Sequence, residues 1–266
     1  MGLGSSLITA YCRWPSHPGK RQLANKLARW LLPERGAPVT LADGNRLWLH
    51  PSEPAEYAVL VRQNAEPATH TFLKANLKPG QLALSSGVGL GRTVITLSKL
   101  VGPTGKVVGI EPRPESLLRV RNNLNANELP DNIILVAGQL GAQPGVLLND
   151  DIKSASKNVS KRHSIHVIVE SLPELLYRLS LRRADLLVLE NTGREKEILQ
   201  GITPASRPHI VLFKVVKGSD PSSTLSRLTE LGYRVFDLQG NAITDNASAA
   251  EKHLIATDRD DLIWNA

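Results

Sequence analysis

The sequence predicts an α/β fold with a doubly wound, mainly parallel Rossmann-like sheet, and two observations support this prediction. From residue 81 onward, short apolar runs alternate with segments of helical periodicity, which is typical of a parallel sheet covered by helices on both faces. The first apolar run ends in a turn with glycine at every second position, Gly87, Gly89 and Gly91. Glycine lets such a turn adopt positive φ and approach a ligand without an intervening Cβ.

The elements of this domain follow one another in a regular order. Strands are predicted at residues 81–85, 106–112, 132–138, 165–172, 184–190, 209–216, 233–239 and 253–258. Helices are predicted at residues 93–101, 114–127, 173–179, 195–202 and 222–232. Residues 139–163 interrupt the pattern, because they are polar and rich in lysine, and we expect a mobile loop there. We therefore assign residues 81–266 to one Rossmann-like domain.

Residues 1–80 are interpreted as an extension that contains a helix, a β-hairpin and a helical cover. Apolar side chains at helical spacing predict an amphipathic helix that docks on the body, namely Leu23, Leu27, Trp30 and Leu31. Asp43-Gly44 is a favourable hairpin turn between two short strands. Further helices are predicted at about 54–62 and 67–76.

Composition excludes several classes of protein. Hydrophobic residues make up 41% of the chain and charged residues 21%, as in ordinary globular proteins. No apolar run approaches the roughly 18 residues of a membrane span. Cys12 is the only cysteine, so there is no internal disulfide framework, and we expect a reducing compartment, the cytoplasm. Histidine and cysteine form no cluster with ligand spacing, and no metal site is expected.

The net charge of +7 permits an anionic partner without naming one. Residues 1–36 hold six Lys or Arg and one Glu, so this segment contributes +5 of that excess. We interpret it as the solvated face of a small helical segment. A nucleic-acid surface more often brings aromatic side chains for stacking, and only 4% of this chain is aromatic, so composition does not favour a nucleic-acid partner, which stays an open alternative.

Glu111 is the second landmark of the candidate site. It ends the strand that follows the glycine turn, 24 residues after Gly87. A carboxylate in this place can accept hydrogen bonds from both hydroxyls of a ribose, so the turn and the acid together predict a nucleoside cofactor. The dinucleotide fingerprint does not fit, because Arg92 stands where its third glycine belongs. A tight turn in a sheet that binds no cofactor remains the alternative.

The glycine spacing and the stretch "VGPTGKVVGIEP" resemble the class I S-adenosylmethionine-dependent methyltransferases. Over roughly residues 39–258, the chain further resembles the FkbM-type family of these enzymes. The matching positions are Glu66-Pro67, Lys78-Pro79-Gly80, Gly87, Gly91, Glu111-Pro112, Pro114, Gly193 and Glu195. The resemblance implies S-adenosylmethionine as the cofactor and a hydroxyl of a small molecule or saccharide as the methyl acceptor.

Our hypothesis for the site gives roles to individual residues. The predicted cofactor site comprises Glu66, Ser85, Gly87, Gly89, Gly91, Glu111, Pro112 and Gln139. In it, Glu111 binds the ribose hydroxyls, the turn 87–91 the methionyl backbone, and Glu66 the amino group of the cofactor. Glu190 ends the fourth strand and is the candidate base that removes the proton of the acceptor hydroxyl. Capping of the following helix is the alternative role of Glu190.

Several acids that the resemblance leads us to expect are absent. The family's first acid falls on Ser85, and its acid after the third strand falls on Ala142, with Gln139 as the nearest polar residue. A later glutamate falls on Lys214. Each such change removes a charge-assisted hydrogen bond worth about 1.5–3 kcal/mol, which weakens cofactor binding unless other groups replace it.

Two alternatives to a small-molecule methyltransferase therefore stay open. One is a catalytically silent module that has the methyltransferase fold and binds a partner, which the missing acids favour. The other is an RNA methyltransferase, which only the positive charge favours. The motif of base methylation, Asn/Asp-Pro-Pro-Tyr/Phe, is not found after the fourth strand, where the sequence reads "ENTG".

Overall fold

The computed structural model describes residues 3–15, 17–50, 53, 56, 59–61, 67–148, 166–190, 193–215, 220–249 and 252–264. The helices are α1 (Leu3–Arg13), α2 (Lys20–Leu31), α3 (Pro67–Asn76), α4 (Arg92–Val101), α5 (Pro114–Asn125), α6 (Leu172–Arg178), α7 (Glu195–Gln200), α8 (Ser222–Glu230) and α9 (Asn246–Ala249). The strands are β1 (Ala37–Thr40), β2 (Arg46–Leu49), β3 (Leu82–Ser86), β4 (Lys106–Glu111), β5 (Ile133–Ala137), β6 (Gln139–Leu140), β7 (Gly145–Leu148), β8 (His166–Glu170), β9 (Leu186–Leu189), β10 (Ile210–Lys214), β11 (Arg234–Asp237) and β12 (His253–Thr257).

A seven-stranded sheet with the order β11-β12-β10-β9-β3-β4-β5 forms the centre of the molecule. Neighbouring strands are parallel from β10 to β5, and β12 is antiparallel to both β10 and β11. The chain moves from β3 outward through β4 to β5, then returns to β9 on the other side of β3. The switch point between β3 and β9 is where sheets of this type bind ligands, outside the carboxyl ends of the strands. The doubly wound, mainly parallel sheet is thus confirmed.

Alternating side chains of this sheet contribute to two apolar cores, one on each face. Leu84 and Leu187 belong to the core that α6, α7 and α8 cover. Ala83 and Val188 belong to the opposite core, which α3, α4 and α5 cover. Because both faces are buried, the central strands are almost wholly apolar, which is why the sequence shows them so clearly.

The N-terminal extension packs on the outside of α4. The strands of its hairpin, β1 and β2, are antiparallel, as expected from the Asp43-Gly44 turn. Side chains of α1, α2 and the hairpin form an apolar cluster that includes Ile95 of α4. The helix α3 lies within residues 1–80 but packs Phe72 into the core of the sheet, so the proposed division at residue 80 stays a prediction.

The segment 139–148 corrects one expectation, since it forms β6 and β7 where a mobile loop was predicted. With β8 these strands make a three-stranded sheet of order β6-β8-β7 directly after β5. One face of this small sheet is open to solvent, since Val146 of β7 and Ile168 of β8 are 62% and 60% exposed. Residues 149–165 lie outside the described part of the chain.

Polar side chains hold the amino ends of the central strands together. Asp258, which follows β12, contacts three basic side chains: Arg183 Nη2 at 2.6 Å, Arg207 Nη2 at 3.1 Å and His209 Nδ1 at 3.2 Å. Asp185, before β9, accepts hydrogen bonds from Gln81 Nε2 at 3.0 Å and from the Leu82 amide at 2.8 Å. The start of β3 is thereby fixed to the start of β9.

Candidate functional site

Three neighbouring strands bring the predicted site residues to one edge of the sheet. β3 ends at Ser86, β4 at Glu111, and β9 at Leu189, which Glu190 follows. Because parallel strands end on the same side, these residues meet beside the switch point between β3 and β9.

The glycine turn between β3 and α4 needs glycine at each of its three positions, because the backbone φ is positive at all three. Gly87, Gly89 and Gly91 have φ values of 86°, 53° and 83°, in the left-handed region that other residues avoid. A methyl group placed at Gly89 would meet no atom of the described residues within 4 Å, so this position faces open space. At Gly91 the same methyl would lie 3.0 Å from Val120 Cγ1 of α5, so this glycine permits close helix packing. Of Gly89 and Gly91, only Gly89 therefore leaves its backbone open to a ligand.

Glu111 is bound to this turn. Its side chain is 2% exposed, and Oε2 accepts a hydrogen bond of 3.3 Å from the Gly89 amide. Oε1 accepts hydrogen bonds from the backbone amide and Nε of Arg113, at 3.2 and 2.9 Å. The sequence did not suggest Arg113 as part of the site, although its place two residues after Glu111 is a local signal. A ligand that binds Oε1 of this carboxylate competes with the Arg113 side chain.

Glu190 lies beside the position where an acid was expected and Ser85 is found. Ser85 is fully buried, and its Oγ donates a hydrogen bond of 3.3 Å to Glu190 Oε1. The Glu190 amide also donates to the Ser86 carbonyl at 3.0 Å. At the start of α7, Glu195 Oε1 accepts a hydrogen bond of 3.2 Å from the Gly193 amide. A carboxylate is thus present at the end of β3, but the neighbouring strand supplies it.

The remaining predicted residues are placed as follows. Pro112 is half-buried directly after Glu111, and Gln139 is half-buried in β6, where it pairs with Val169 of β8. The amide of Gly138, next to Gln139, donates to the Glu111 carbonyl at 3.1 Å, so β6 begins beside the end of β4. Glu66 lies outside the described residues.

Arg92 has a structural role that its place in the glycine motif did not suggest. Its guanidinium makes two hydrogen bonds to Asp43 Oδ2, from Nε at 3.1 Å and from Nη2 at 2.8 Å. Asp43 lies in the hairpin turn of the extension, and Lys99 of α4 donates to Asn45 of the same turn at 2.7 Å. The helix that begins at the glycine turn is therefore fixed to the extension.

The described residues contain no side-chain cluster suited to a metal ion and no helix suited to a membrane span. No group of three or more His, Cys, Asp or Glu side chains there is arranged to hold a metal ion. Among the same residues, no helix is both long and apolar enough to cross a membrane.

Comparison with known proteins gives matches to methyltransferases. The family model "Protein-L-isoaspartate(D-aspartate) O-methyltransferase (PCMT)" matches residues 56–145. The tRNA (adenine(58)-N(1))-methyltransferase TrmI of Thermus thermophilus is 27% identical over 163 residues, which is 56% of this chain and 64% of that protein. The arsenite methyltransferase of Halobacterium salinarum is 31% identical over 70 residues, or 26% of this chain and 18% of that protein. The chain thus spans less than two thirds of the length of these relatives.

Solved structures of methyltransferases are similar at low sequence identity. Precorrin-6y C5,15-methyltransferase from Geobacter metallireducens GS-15 has a TM-score of 0.47 and 17% identity, over 73% of this chain and 89% of that chain. An S-adenosylmethionine-dependent O-methyltransferase from Thermotoga maritima has a TM-score of 0.46 and 14% identity, over 87% of this chain and 80% of that chain.

The chain has the fold of class I methyltransferases, and S-adenosylmethionine is the cofactor of that class. The mainly parallel seven-stranded sheet with helices on both faces and one antiparallel strand beside the edge is the arrangement of this class. These matches do not single out the FkbM-type family, so that finer assignment stays a prediction.

Proposed function

We propose that this protein is an S-adenosylmethionine-dependent methyltransferase whose cofactor lies over the glycine turn and against Glu111. One observation carries the proposal: the Glu111 carboxylate is hydrogen-bonded to the Gly89 amide at the switch point, next to the open space at Gly89. A carboxylate and a close backbone amide suit the hydroxyls and the polar chain of a nucleoside derivative.

In this proposal, the cofactor supplies a methyl group activated by a sulfonium, and the protein aligns the acceptor with it. Glu111 accepts hydrogen bonds from the ribose hydroxyls, with Pro112 and Gln139 beside it. The turn 87–91 gives the methionyl chain a surface without side chains. Glu66 is proposed to bind the amino group of the cofactor.

Glu190 is proposed as the base that accepts the proton of the acceptor hydroxyl. Its Oε1 is held by Ser85 Oγ, which fixes the carboxylate at the site edge. A carboxylate can take this role only when it is within hydrogen-bond reach of the hydroxyl, so its fixed position matters. Ser85 stands where the resemblance leads us to expect an acid of the cofactor site. Because Glu190 lies beside Ser85, cofactor binding is the competing role for Glu190.

For the acceptor, we propose a hydroxyl of a small molecule or saccharide. RNA is the second candidate, and it has two observations in its favour: the net charge of +7 and the similarity to a protein named as a tRNA methyltransferase. A catalytically silent role is the third, since Ser85 and Lys214 replace acids that the sequence analysis expected. The cytoplasmic location also stays a proposal.

Calorimetric titration with S-adenosylmethionine and with S-adenosylhomocysteine tests the cofactor site. Glu111→Ala should weaken binding of both ligands by about 10- to 100-fold, because a charge-assisted hydrogen bond is worth about 1.5–3 kcal/mol. Glu115→Ala is the matched control, since this glutamate is exposed in the first turn of α5, and it should bind as the wild type does. Absence of heat with either ligand at high micromolar concentration refutes the proposal, and equal affinity of Glu111→Ala refutes the role of Glu111.

Methyl transfer from a tritiated cofactor to saccharides, small alcohols and RNA tests the acceptor. If Glu190 is the base, Glu190→Gln should lower kcat by about 100-fold or more at unchanged cofactor affinity. A loss of cofactor affinity at unchanged kcat assigns Glu190 to the cofactor site instead. Label in RNA at moderate salt favours the second candidate, and cofactor binding without transfer to any acceptor favours the silent module.

A further inference from the structure

Two N-terminal helices present large apolar side chains to solvent. In α1, Leu3, Leu7 and Trp14, which directly follows the helix, are 81%, 52% and 68% exposed. In α2, Leu23 and Trp30 are 45% and 82% exposed, so they do not pack on the body as the sequence predicted, and the buried Ala24 and Ala28 do so instead. Leu3, Leu7, Trp14, Leu23 and Trp30 are five of the eleven large apolar side chains that are exposed in the described residues. Single exposed apolar residues are ordinary, whereas such a concentration marks an interaction surface.

The exposed residues of α1 form one stripe. Leu3 and Leu7 are four residues apart, which places them on the same side of a helix of 3.6 residues per turn, and Trp14 directly follows the end of this helix. The buried residues Ile8 and Cys12 lie on the opposite side and pack into the core of the extension. The helix therefore has an apolar inner face and an apolar outer face.

The stripe of α1 continues onto α2. A side chain at Gly4 would overlap with the backbone of Leu31, so the start of α1 is in contact with the end of α2. Leu3 and Trp30 each lie one residue from this contact, both pointing to solvent. Leu23 lies on the same face of α2 as Trp30, two turns away. We call the five side chains on these two helices the apolar strip.

Basic residues flank the apolar strip on α2. Lys26 and Arg29 are exposed, and helical spacing places Lys26 between Trp30 and Arg29 on the outer face. Lys20, in contrast, is used inside the extension, where its Nζ donates to the Cys12 carbonyl at 2.8 Å. The outer face of α2 is thus half apolar and half basic.

We propose that α1 and α2 attach this protein to the surface of an anionic lipid bilayer. Helices that lie in the bilayer interface combine Trp and Leu on one side with Lys and Arg beside them, and Trp favours the headgroup level. Each basic residue near an anionic surface contributes about 1 kcal/mol. The positive charges of Lys26 and Arg29 complement the anionic headgroups of such a surface, and the apolar strip complements its hydrocarbon. The proposal does not depend on methyltransferase activity.

Other partners fit these residues less well. RNA would use the basic residues and the tryptophans, but Leu3, Leu7 and Leu23 have no aromatic face on which a base can stack. A second copy of this chain, docked symmetrically on the apolar strip, would bring the like charges of both α2 helices close together. Both partners are therefore outcomes of the test and not part of the proposal.

Vesicle flotation with the full chain tests the proposal. Vesicles of phosphatidylcholine mixed with phosphatidylserine should bind the protein, vesicles of phosphatidylcholine alone should bind it weakly, and added salt should reduce binding. The double variant Lys26→Gln/Arg29→Gln should bind about 30-fold more weakly, as two basic residues are lost. Leu3→Ser/Trp30→Ser should weaken binding by about tenfold or more. Tyr177→Ser/Arg182→Gln changes an exposed aromatic and an exposed basic residue elsewhere, and should leave binding unchanged.

Circular dichroism of each variant verifies that it is folded. The proposal is refuted if the wild type does not bind the mixed vesicles at low salt, or if both double variants bind them as the wild type does. It is also refuted if the apolar variant changes the oligomeric state in sedimentation velocity, or the affinity for RNA, while vesicle binding stays the same.

Discussion

Asp258 at the amino edge of the central sheet and Glu111 at its carboxyl edge are paired in different ways. At the amino edge, Asp258 is paired with residues that are distant in sequence, for example Arg183, 75 positions away. At the carboxyl edge, Glu111 is paired with Arg113, two positions away, and with the Gly89 amide of the adjoining turn. Long-range pairs hold segments of the chain together, whereas a local pair can open without moving any strand. The Asp258 network is therefore suited to stability, whereas Glu111 can exchange its Arg113 partner for a ligand.

Removal of Asp258 should show this difference most strongly. Asp258→Ala leaves Arg183, Arg207 and His209 without their shared partner, and the Asp258 side chain is only 15% exposed. We expect a loss of about 3 kcal/mol in the free energy of unfolding, measured with urea, at unchanged affinity for S-adenosylhomocysteine. Asp260→Ala is the control and should change stability by less than about 0.5 kcal/mol, since Asp260 is 87% exposed. A large loss of cofactor affinity in Asp258→Ala contradicts the separation of the two edges.

The same network should make the fold sensitive to acid. Burial raises the pKa of Asp258, but the hydrogen bonds from Arg183 and His209 outweigh it and leave the pKa below its usual value. A lowered pKa in the folded state gives stability that is present above the unfolded pKa of about 3.9 and is lost as the pH falls through the folded pKa. The stability of the wild type, measured by urea unfolding across this pH range, should thus decline below about pH 4, and that of Asp258→Ala less steeply.

Two glycines of one turn should separate stability from binding. Gly91→Ala places a methyl 3.0 Å from Val120 Cγ1 at a φ of 83°, and should lower the free energy of unfolding by about 2–3 kcal/mol. Gly89→Ala is strained by about 1 kcal/mol at a φ of 53°, but its methyl enters open space. We expect this variant to lose about tenfold or more in cofactor affinity, measured by calorimetry. If Gly89→Ala binds the cofactor normally, the open space at Gly89 is not the cofactor site.

The smallest effect is expected at Arg113. Its side chain is 37% exposed and competes with a ligand for Glu111 Oε1, and an ion pair at such a position is worth about 0–1 kcal/mol. Arg113→Ala should therefore tighten binding of S-adenosylhomocysteine by about two- to fivefold, by calorimetric titration. Weaker binding would mean that Arg113 contributes a contact to the ligand.

The sequence predicted the sheet well and the site partly. Buried parallel strands are almost wholly apolar, and glycines that need positive φ are local signals, so β3, β4 and the turn at Gly87–Gly91 could be predicted from short stretches. The contacts between Ser85 and Glu190 and between Arg92 and Asp43 join residues 105 and 49 positions apart. Tertiary packing alone decides such pairs. Arg92 was for that reason interpreted only as a missing glycine.

The small sheet after β5 shows the same limit. The polar composition of residues 139–163 predicted a loop, although β6 and β7 lie at the start of this segment. Such short strands are defined by their pairing with β8, which their own residues do not reveal. The roles of Glu66, Ser85, Gln139 and Glu190 in cofactor or acceptor binding stay predictions that the experiments above decide.

The position of β12 has a consequence for the order in which the fold can be completed. β12 lies between β10 and β11, although both precede it in the chain. During synthesis, each of these strands has an unpaired side until residues 253–257 have left the ribosome, and unpaired strand edges invite association with other chains. The nascent protein therefore passes through a stage in which β3, β4, β5, β9 and β10 can already pair while the sheet still has a gap. Chains that stall before β12 should be substrates for chaperones.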